Sequence, residues 1–461
     1  MTNREHWLLL FEDKRFRTKS PTISTDGRNP FENVYGRRIS SAPIRRLQDK
    51  TQVFPLDKND YIRTRLTHSL EVSYIASSLG QSVEKFLVEE KEDISMHKYG
   101  YLSSLLRTSG LVHDLGNPPF GHFGEVAIQD FFKKFFDENP RIARNFTQQE
   151  RADFENFDGN IQTFRILSKL YYFGDEYSYN LSYSTLATIV KYPSNSVTGN
   201  KGKNAKEIAQ KKAGYFITEE DKYNKINEYL QLNHRRHPAT YLLEAADDIA
   251  YSAADIEDGV KQGIISIDEI KDFFEKYLEK NKDEVITYIN YLKQEYSSGG
   301  KLNASIIVQK IRILTQQIMI SSTIETFISN YDIIMRGELE DELIMISSAK
   351  DVRNAYKQIQ SKIFKYKSIL KKEIAGREAI MGLLKIFVDA ALSDSFKADG
   401  GNTLECRLYN LVSASYRDVN EKYEHYENKL YCKLRLVVDF IAGMTDSYAV
   451  DLYQELKGIK L

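Results

Sequence analysis

His113 and Asp114 are adjacent in the stretch SGLVHDLG (109–116), a lone His68 lies upstream, and a carboxylate pair, Asp247 and Asp248, lies far downstream. Two imidazoles and two carboxylates can hold one hard-to-borderline divalent cation and still leave positions open for water and substrate. The chain has eight histidines, and three of them, His68, His113 and His122, fall in two strongly patterned segments. That combination points to metal-assisted hydrolysis.

The elements that must position these groups are legible as helices. His68, Val72, Ile75, Leu79, Val83 and Phe86 recur at spacings of 4, 3, 4, 4 and 3, so His68 heads the buried stripe of an amphipathic helix. Taken alone, such a residue is an ordinary core histidine with a hydrogen-bond partner. A second helix, over about 99–115, repeats Leu102, Leu106, Ser109 and His113 on its inner face. The tandem prolines of GNPPFG (116–121) must stop it. Adjacent helical residues point about 100° apart, so His113 and Asp114 reach one ion together only near a helix end. The prolines supply that end, and His122 is expected in the loop beyond it. A third helix follows Pro238, with Leu242, Ala245, Ile249, Ala253 and Ile256 on one face. Another face carries Glu244, Asp247, Tyr251 and Asp255 at spacings of 3, 4 and 4. An acidic face alone is usually solvated; three separate segments, each offering the right ligand type, favour a metal site. Periodicity does not separate Asp247 from Asp248.

Over 461 residues, Lys plus Arg is 64 and Asp plus Glu is 65, a formal net charge of -1, so no global excess advertises nucleic acid or an anionic membrane. Cys406 and Cys432 belong to no C-x-x-C pattern, which excludes a disulfide scaffold and a zinc ribbon. The start, MTNREHW, shows no charged n-region before an apolar run, and no stretch of about 18 apolar residues occurs, so the expected compartment is the cytoplasm. All nine prolines fall at or before Pro238. Proline costs about 3 kcal/mol in a helix interior, so the remainder is expected as long helices, with apolar repeats over 267–296, 304–329 and 351–372. The Arg-rich first 60 residues are expected to be loop-like, and the polar segment 194–206 to be an excursion. No alternation of strands with helices and no G-x-x-x-x-G-K-[ST] loop is present. The expected fold class is all-α.

Eight blocks carry a resemblance. They are RRLQDKTQVFP (45–55), RTRLTHSLEVS (63–73), HDLGNPPFGHFGE (113–125), FDGNIQ (157–162), KYP (191–193), KKAGYF (211–216), EAADDIAYSAADIED (244–258) and GMTDSYA (443–449). In these blocks and their order the sequence resembles the HD-domain deoxynucleoside triphosphate triphosphohydrolases, specifically the bacterial dGTPase group. The resemblance implies one domain over 1–461, with an HD-domain helical core over about 30–260, a long helical C-terminal part over about 261–461 and little or no sheet. It implies His68, His113, Asp114 and Asp247 as metal ligands, His122 as the catalytic histidine and Glu125 as its orienting carboxylate. Arg65, Lys191 and Lys212 resemble phosphate contacts; Tyr251, Asp255 and Gln52 resemble contacts to the sugar and its 3′-hydroxyl. Asn117 stands where relatives carry histidine, and since Asn carries no positive charge its role is positional. The implied reaction is metal-dependent hydrolysis of dGTP, or of other dNTPs, to deoxynucleoside and inorganic triphosphate by water attack on the α-phosphorus. One divalent ion per subunit is implied, Mg2+ or Mn2+, with Fe, Co or Ni also suited to the mixed ligand set. A homo-oligomer, a hexamer, and an accessory single-stranded DNA-binding activity are further implications. The competing readings are another HD-type nucleotide phosphohydrolase, such as a 5′-nucleotidase or phosphodiesterase, and a non-catalytic nucleotide- or ssDNA-binding regulator.

Overall fold

Two helices, Arg65–Glu89 and Tyr101–Val112, form the frame of the site in the computed structural model. They run antiparallel and almost touch: a Cβ on Gly80 would lie 2.8 Å from Ser103 Cα, and one on Gly110 the same distance from Ser73 Cα. Only glycine permits that approach at both levels. The stripe Val72, Ile75, Leu79, Val83 and Phe86 is buried between them, each side chain contributing about 1.5–3 kcal/mol. A third helix, Pro238–Lys261, begins with proline at its first turn, where the missing N–H costs nothing. It packs on both members of the pair and on the helices Ala304–Ser329 and Lys350–Ile363.

Residues 1–461 are described apart from 18–26, 58, 172–174, 203–204, 206, 299–300, 398–400, 423 and 460–461. Part of the 194–206 segment thus lies outside the described residues. Among the described residues the fold is helical throughout, with 23 α-helices and one two-stranded antiparallel ribbon, Ser297–Ser298 with Lys301–Leu302. No helix among them is long and apolar enough to cross a membrane. One hydrophobic core runs from Trp7 to Leu452.

A buried ionic cluster joins the early and late parts of the chain. Arg165 donates to Asp439 Oδ2 at 2.8 Å and to Glu219 Oε1 at 2.6 Å, and Lys169 donates to Glu424 Oε1 at 2.8 Å. Arg435, on the same helix as Asp439, stands over the ring of Phe216 at 3.8 Å.

The structure departs from the sequence expectations at several boundaries. The first 60 residues are not simply loop: they hold the helices Asn3–Leu10, Pro30–Arg38 and Ala42–Arg46. The first two start at capping boxes, Thr2 with Glu5 and Asn29 with Glu32. The expected helix over 267–296 is two, Ile267–Tyr277 and Lys282–Glu295, because Asp351 accepts from the freed amides of Glu279 and Lys280 at 2.8 and 3.0 Å. The expected helix over 351–372 likewise breaks between Lys350–Ile363 and Lys367–Ala391, where Tyr366 turns extended.

Candidate active site

The Tyr101–Val112 helix ends three residues earlier than its periodicity suggests. Leu115 N–H returns to Val112 O, and Gly116 N–H donates to the Thr163 hydroxyl at 2.9 Å, so His113–Gly116 form a tight turn rather than a last helical turn. That turn lets His113 and Asp114 face the same point. His113 Nδ1 donates to Gly110 O at 2.7 Å, which leaves Nε2 turned into the site, buried and without a hydrogen-bond partner. His113 Nε2 lies 3.5 Å from Asp114 Oδ1 and 3.4 Å from Asp247 Oδ1. His68 Nε2 stands 3.1 Å from Asp247 Oδ1 and 3.9 Å from Asp114 Oδ2. His68, His113 and Asp114 each offer an atom within 4.8 Å of the others, and Asp247 joins them through Oδ1. Its neighbour Asp248 turns away to Arg353 at 3.2 Å.

These separations fit a cation. Donors held about 2.0–2.2 Å from one ion stand about 3–4 Å from each other in tetrahedral or octahedral arrangements. The electrostatics agree. Burial disfavours charge on His113, yet Asp114 and Asp247 outweigh it and raise its pKa. Burial likewise opposes ionisation of Asp114, but His113, Arg65 and His68 prevail and hold its carboxyl down at about 2. Against the same desolvation, Lys191 and His113 hold Asp247 well below the usual carboxylate range. Two carboxylates held ionised, with two imidazole Nε2 atoms turned toward them, make a centre that attracts positive charge.

Cationic side chains line this centre. Arg65 Nη1 donates to Asp114 Oδ2 at 2.6 Å, and Lys191 Nζ donates to Asp247 Oδ2 at 3.1 Å. Asn117 Nδ2 donates to Asp114 Oδ1 at 2.6 Å, holding the carboxylate from its other side. Lys212 pairs with Asp158 rather than with the centre.

His122 is in the first turn of the helix Gly121–Glu138, not in a loop. The helix starts immediately after the prolines because Phe120 and Gly121 both take left-handed conformations, φ 61° and 56°, and turn the chain sharply. His122 Nδ1 donates to Glu125 Oε2 at 2.9 Å, while Glu125 Oε1 accepts from Gly159 N–H at 2.6 Å. The Glu125 hydrogen bond raises the His122 pKa against partial burial. The imidazole itself is 82% exposed, so its other nitrogen is free to meet a ligand. The two parts of the site meet through Arg65: a Cβ on Gly121 would lie 2.5 Å from Arg65 Nη2.

The expected sugar contacts lie further along the Pro238–Lys261 helix, Asp255 about 12 Å beyond Asp247 at 1.5 Å per residue. Tyr251 hydroxyl accepts from Arg353 Nη2 at 2.8 Å, and Asp255 Oδ2 accepts from Gln360 Nε2 at 3.0 Å. Burial pushes the Asp255 carboxyl well above its ordinary range. Gln52 Oε1 is buried and accepts no hydrogen bond among the described residues. Arg353 and Gln360 were not legible as site residues, since each is a lone polar residue at the inward side of an ordinary amphipathic helix, Gln360 being buried among Tyr356, Ile359 and Ile363. Asp158 lay inside the FDGNIQ block without an assigned role.

Residues 65–170 match the family model of the HD domain, and residues 406–455 match that of the phosphohydrolase-associated domain. The helical fold and this pair of matches are those of an HD-domain phosphohydrolase. A deoxyguanosinetriphosphate triphosphohydrolase-like protein of Listeria innocua is 42% identical over 98% of this chain and 99% of its own length. A protein of the same description from a Synechocystis species is 31% identical over 99% of this chain and 100% of its own. The deoxyguanosinetriphosphate triphosphohydrolase of Yersinia enterocolitica is 30% identical over 92% of this chain and 93% of its own. The chain belongs to the deoxyguanosinetriphosphate triphosphohydrolase-like family.

Proposed function

We propose that this protein hydrolyses a deoxynucleoside triphosphate, with dGTP the leading candidate, to the deoxynucleoside and inorganic triphosphate. One divalent cation per subunit, Mg2+ or Mn2+ with Fe, Co or Ni as alternatives, would be held by His68, His113, Asp114 and Asp247. The observation that carries this reading is the buried, unpartnered Nε2 of His113 facing two carboxylates. The relatives' names supply the substrate class. A cation bound there supplies Lewis-acid polarisation of a phosphate oxygen and a more acidic water.

The chain's own groups supply the rest. Water oxygen bonds to the α-phosphorus and releases a proton to solvent, the bond from phosphorus to the 5′-oxygen breaks, and that oxygen needs a proton. His122, whose hold on a proton the Glu125 hydrogen bond strengthens, delivers it from its exposed nitrogen. Arg65 offers a fork for a phosphate, and Lys191 and Lys212 offer point charges. Each of these cations is balanced by a carboxylate in the protein alone, so a polyphosphate would compete with Asp114, Asp247 and Asp158 for them. Tyr251, Asp255 and Gln52 would form the sugar wall. The ionic cluster around Arg165 and the shared core support reading residues 1–461 as one functional unit.

Phosphorus NMR of the products tests the reading. Incubation with dGTP, the other three deoxynucleotides and GTP, in Mg2+ and in Mn2+, should release triphosphate. Release of pyrophosphate or monophosphate would assign the site to another HD-type phosphohydrolase, and no turnover on any nucleotide would leave a binding protein.

A further inference from the structure

The block GMTDSYA (443–449) takes no part in the chemistry above, yet Asp446 is 1% exposed and reaches the turn that precedes His122. Its Oδ1 accepts from Phe120 N–H at 2.9 Å. Its Oδ2 accepts from Thr51 N–H at 2.9 Å and also from the Thr51 hydroxyl. One carboxylate therefore joins three distant segments. Beside it, the buried Lys50 Nζ donates to Asn117 O at 2.5 Å and to Ala442 O at 2.9 Å. The 117–121 turn is thus held at Asn117 by Lys50, itself bonded to Ala442, and at Phe120 by Asp446.

The turn requires holding. Phe120 has φ 61°, a left-handed conformation disfavoured for any residue with a Cβ. Its ring lies flat on Gly376 of the Lys367–Ala391 helix, so closely that a Cβ there would come 2.5 Å from a ring carbon. The next residue, Gly121, abuts Arg65, and the one after it is His122. A turn released from Asp446 would shift the start of the Gly121–Glu138 helix, displacing His122 and crowding Arg65.

We propose that Asp446 is a positioning residue for His122: the C-terminal phosphohydrolase-associated segment clamps the strained turn and so sets where the proton donor meets the substrate. Lys50 braces the same turn from Asn117. This inference rests on reading His122 as the proton donor of the hydrolysis.

A double-mutant cycle tests it. The full chain loaded with Mn2+ is assayed for triphosphate release from dGTP as wild type, Asp446→Ala, His122→Ala and the double variant, with bound manganese measured for each. Asp446→Ala should lower kcat about 10²-fold, the cost of a small misplacement, with KM and bound manganese near wild type. In the His122→Ala background the same change should cost little more, because the group it positions is already gone. Additive losses, or an Asp446→Ala enzyme with wild-type kcat, overturn the clamp. Should Asp446→Ala fail to fold, Gly376→Ala, which presses on Phe120 without touching the carboxylate, goes through the same cycle under the same criteria. A wild type that releases a different phosphate product defeats the triphosphohydrolase reading alone, and the cycle is then read on that product. A wild type with no turnover overturns both.

Discussion

His113 Nε2 and Asp247 Oδ1 face each other at 3.4 Å, and the proton of the His113 ring is already committed to Gly110 O through Nδ1. Asp114 and Asp247 raise the His113 pKa, so this buried space draws positive charge, whether as a proton or as a metal cation. Replacing Asp247 with Ala should therefore reduce bound divalent metal at least about 10²-fold in affinity, more than the 10–100-fold typical of a supporting residue, and abolish turnover. The fold should persist, since Ala is the better helix former. Metal analysis of dialysed protein checks this; wild-type stoichiometry in the variant would remove Asp247 from the ligand set.

His122 presents the opposite case. Its side chain is 82% exposed, and its side-chain hydrogen bond among the described residues is to Glu125. His122→Ala should leave thermal stability within about 0.5 kcal/mol and bound metal unchanged, but lower kcat by about 10²–10⁴. A near-normal rate would place the proton donor elsewhere.

The pH dependence follows from the same pair. The Glu125 hydrogen bond raises the His122 pKa above its ordinary 6.5, so the ring holds its proton into more alkaline solution than a free imidazole does. If His122 donates that proton, kcat is maintained below this raised pKa and falls as pH rises through it. Glu125→Gln keeps an acceptor but removes the charge, and the basic limb of the profile should move to lower pH. A limb that stays in place would separate it from His122.

The Arg165 cluster yields a stability prediction. Arg165 is 1% exposed and balances Asp439, Glu219 and Glu424. Arg165→Met leaves buried carboxylates without their main partner and should cost about 3–5 kcal/mol. Burial opposes ionisation of Asp439, but Arg165 and Arg435 outweigh it and hold its pKa below the ordinary 3.8. That contribution is present above pH 3.8 and is lost as pH falls through the lower folded value. Denaturant unfolding near neutral pH decides the matter; a loss under about 1 kcal/mol, the range of a surface pair, would show the cluster to be energetically idle.

Much of the frame was legible because it obeys a single local rule. The stripe from His68 to Phe86 announces its helix through a 3.6-residue period, and the small apolar face after Pro238 does the same. What escaped depends on partners remote in sequence. The Gly121–Glu138 helix lacks a Ser, Thr, Asp or Asn cap; its entry amide is satisfied by Asp446, far along the chain, so His122 read as loop. The break between Ile267–Tyr277 and Lys282–Glu295 contains neither proline nor glycine and is stabilised by Asp351. Asp247 and Asp248 are indistinguishable by periodicity and part only when Arg353 claims the second. The first two N-terminal helices, by contrast, start at local capping boxes, Thr2 with Glu5 and Asn29 with Glu32.

Arg353 offers the sharpest check on the sugar wall. Its Nη2 donates to Tyr251 hydroxyl at 2.8 Å and to Asp248 Oδ1 at 3.2 Å, fixing the phenol that the substrate is expected to meet. Burial raises the Asp248 carboxyl to about 6, with Arg353 opposing that rise. Arg353→Ala removes both hydrogen bonds and frees the Tyr251 ring while leaving His68, His113, Asp114 and Asp247 untouched. A lost hydrogen bond to a charged group is worth about 1.5–3 kcal/mol, so KM should rise at least about tenfold with kcat largely kept, the pattern of lost uniform binding. Arg353→Lys should recover only part of it, since the compact ammonium on a flexible stem lacks the planar guanidinium that stands over the Tyr251 ring at 6.0 Å. An equal fall in kcat and kcat/KM at constant KM would instead mean that Arg353 acts only in the transition state, and the sugar wall would have to be built from other residues.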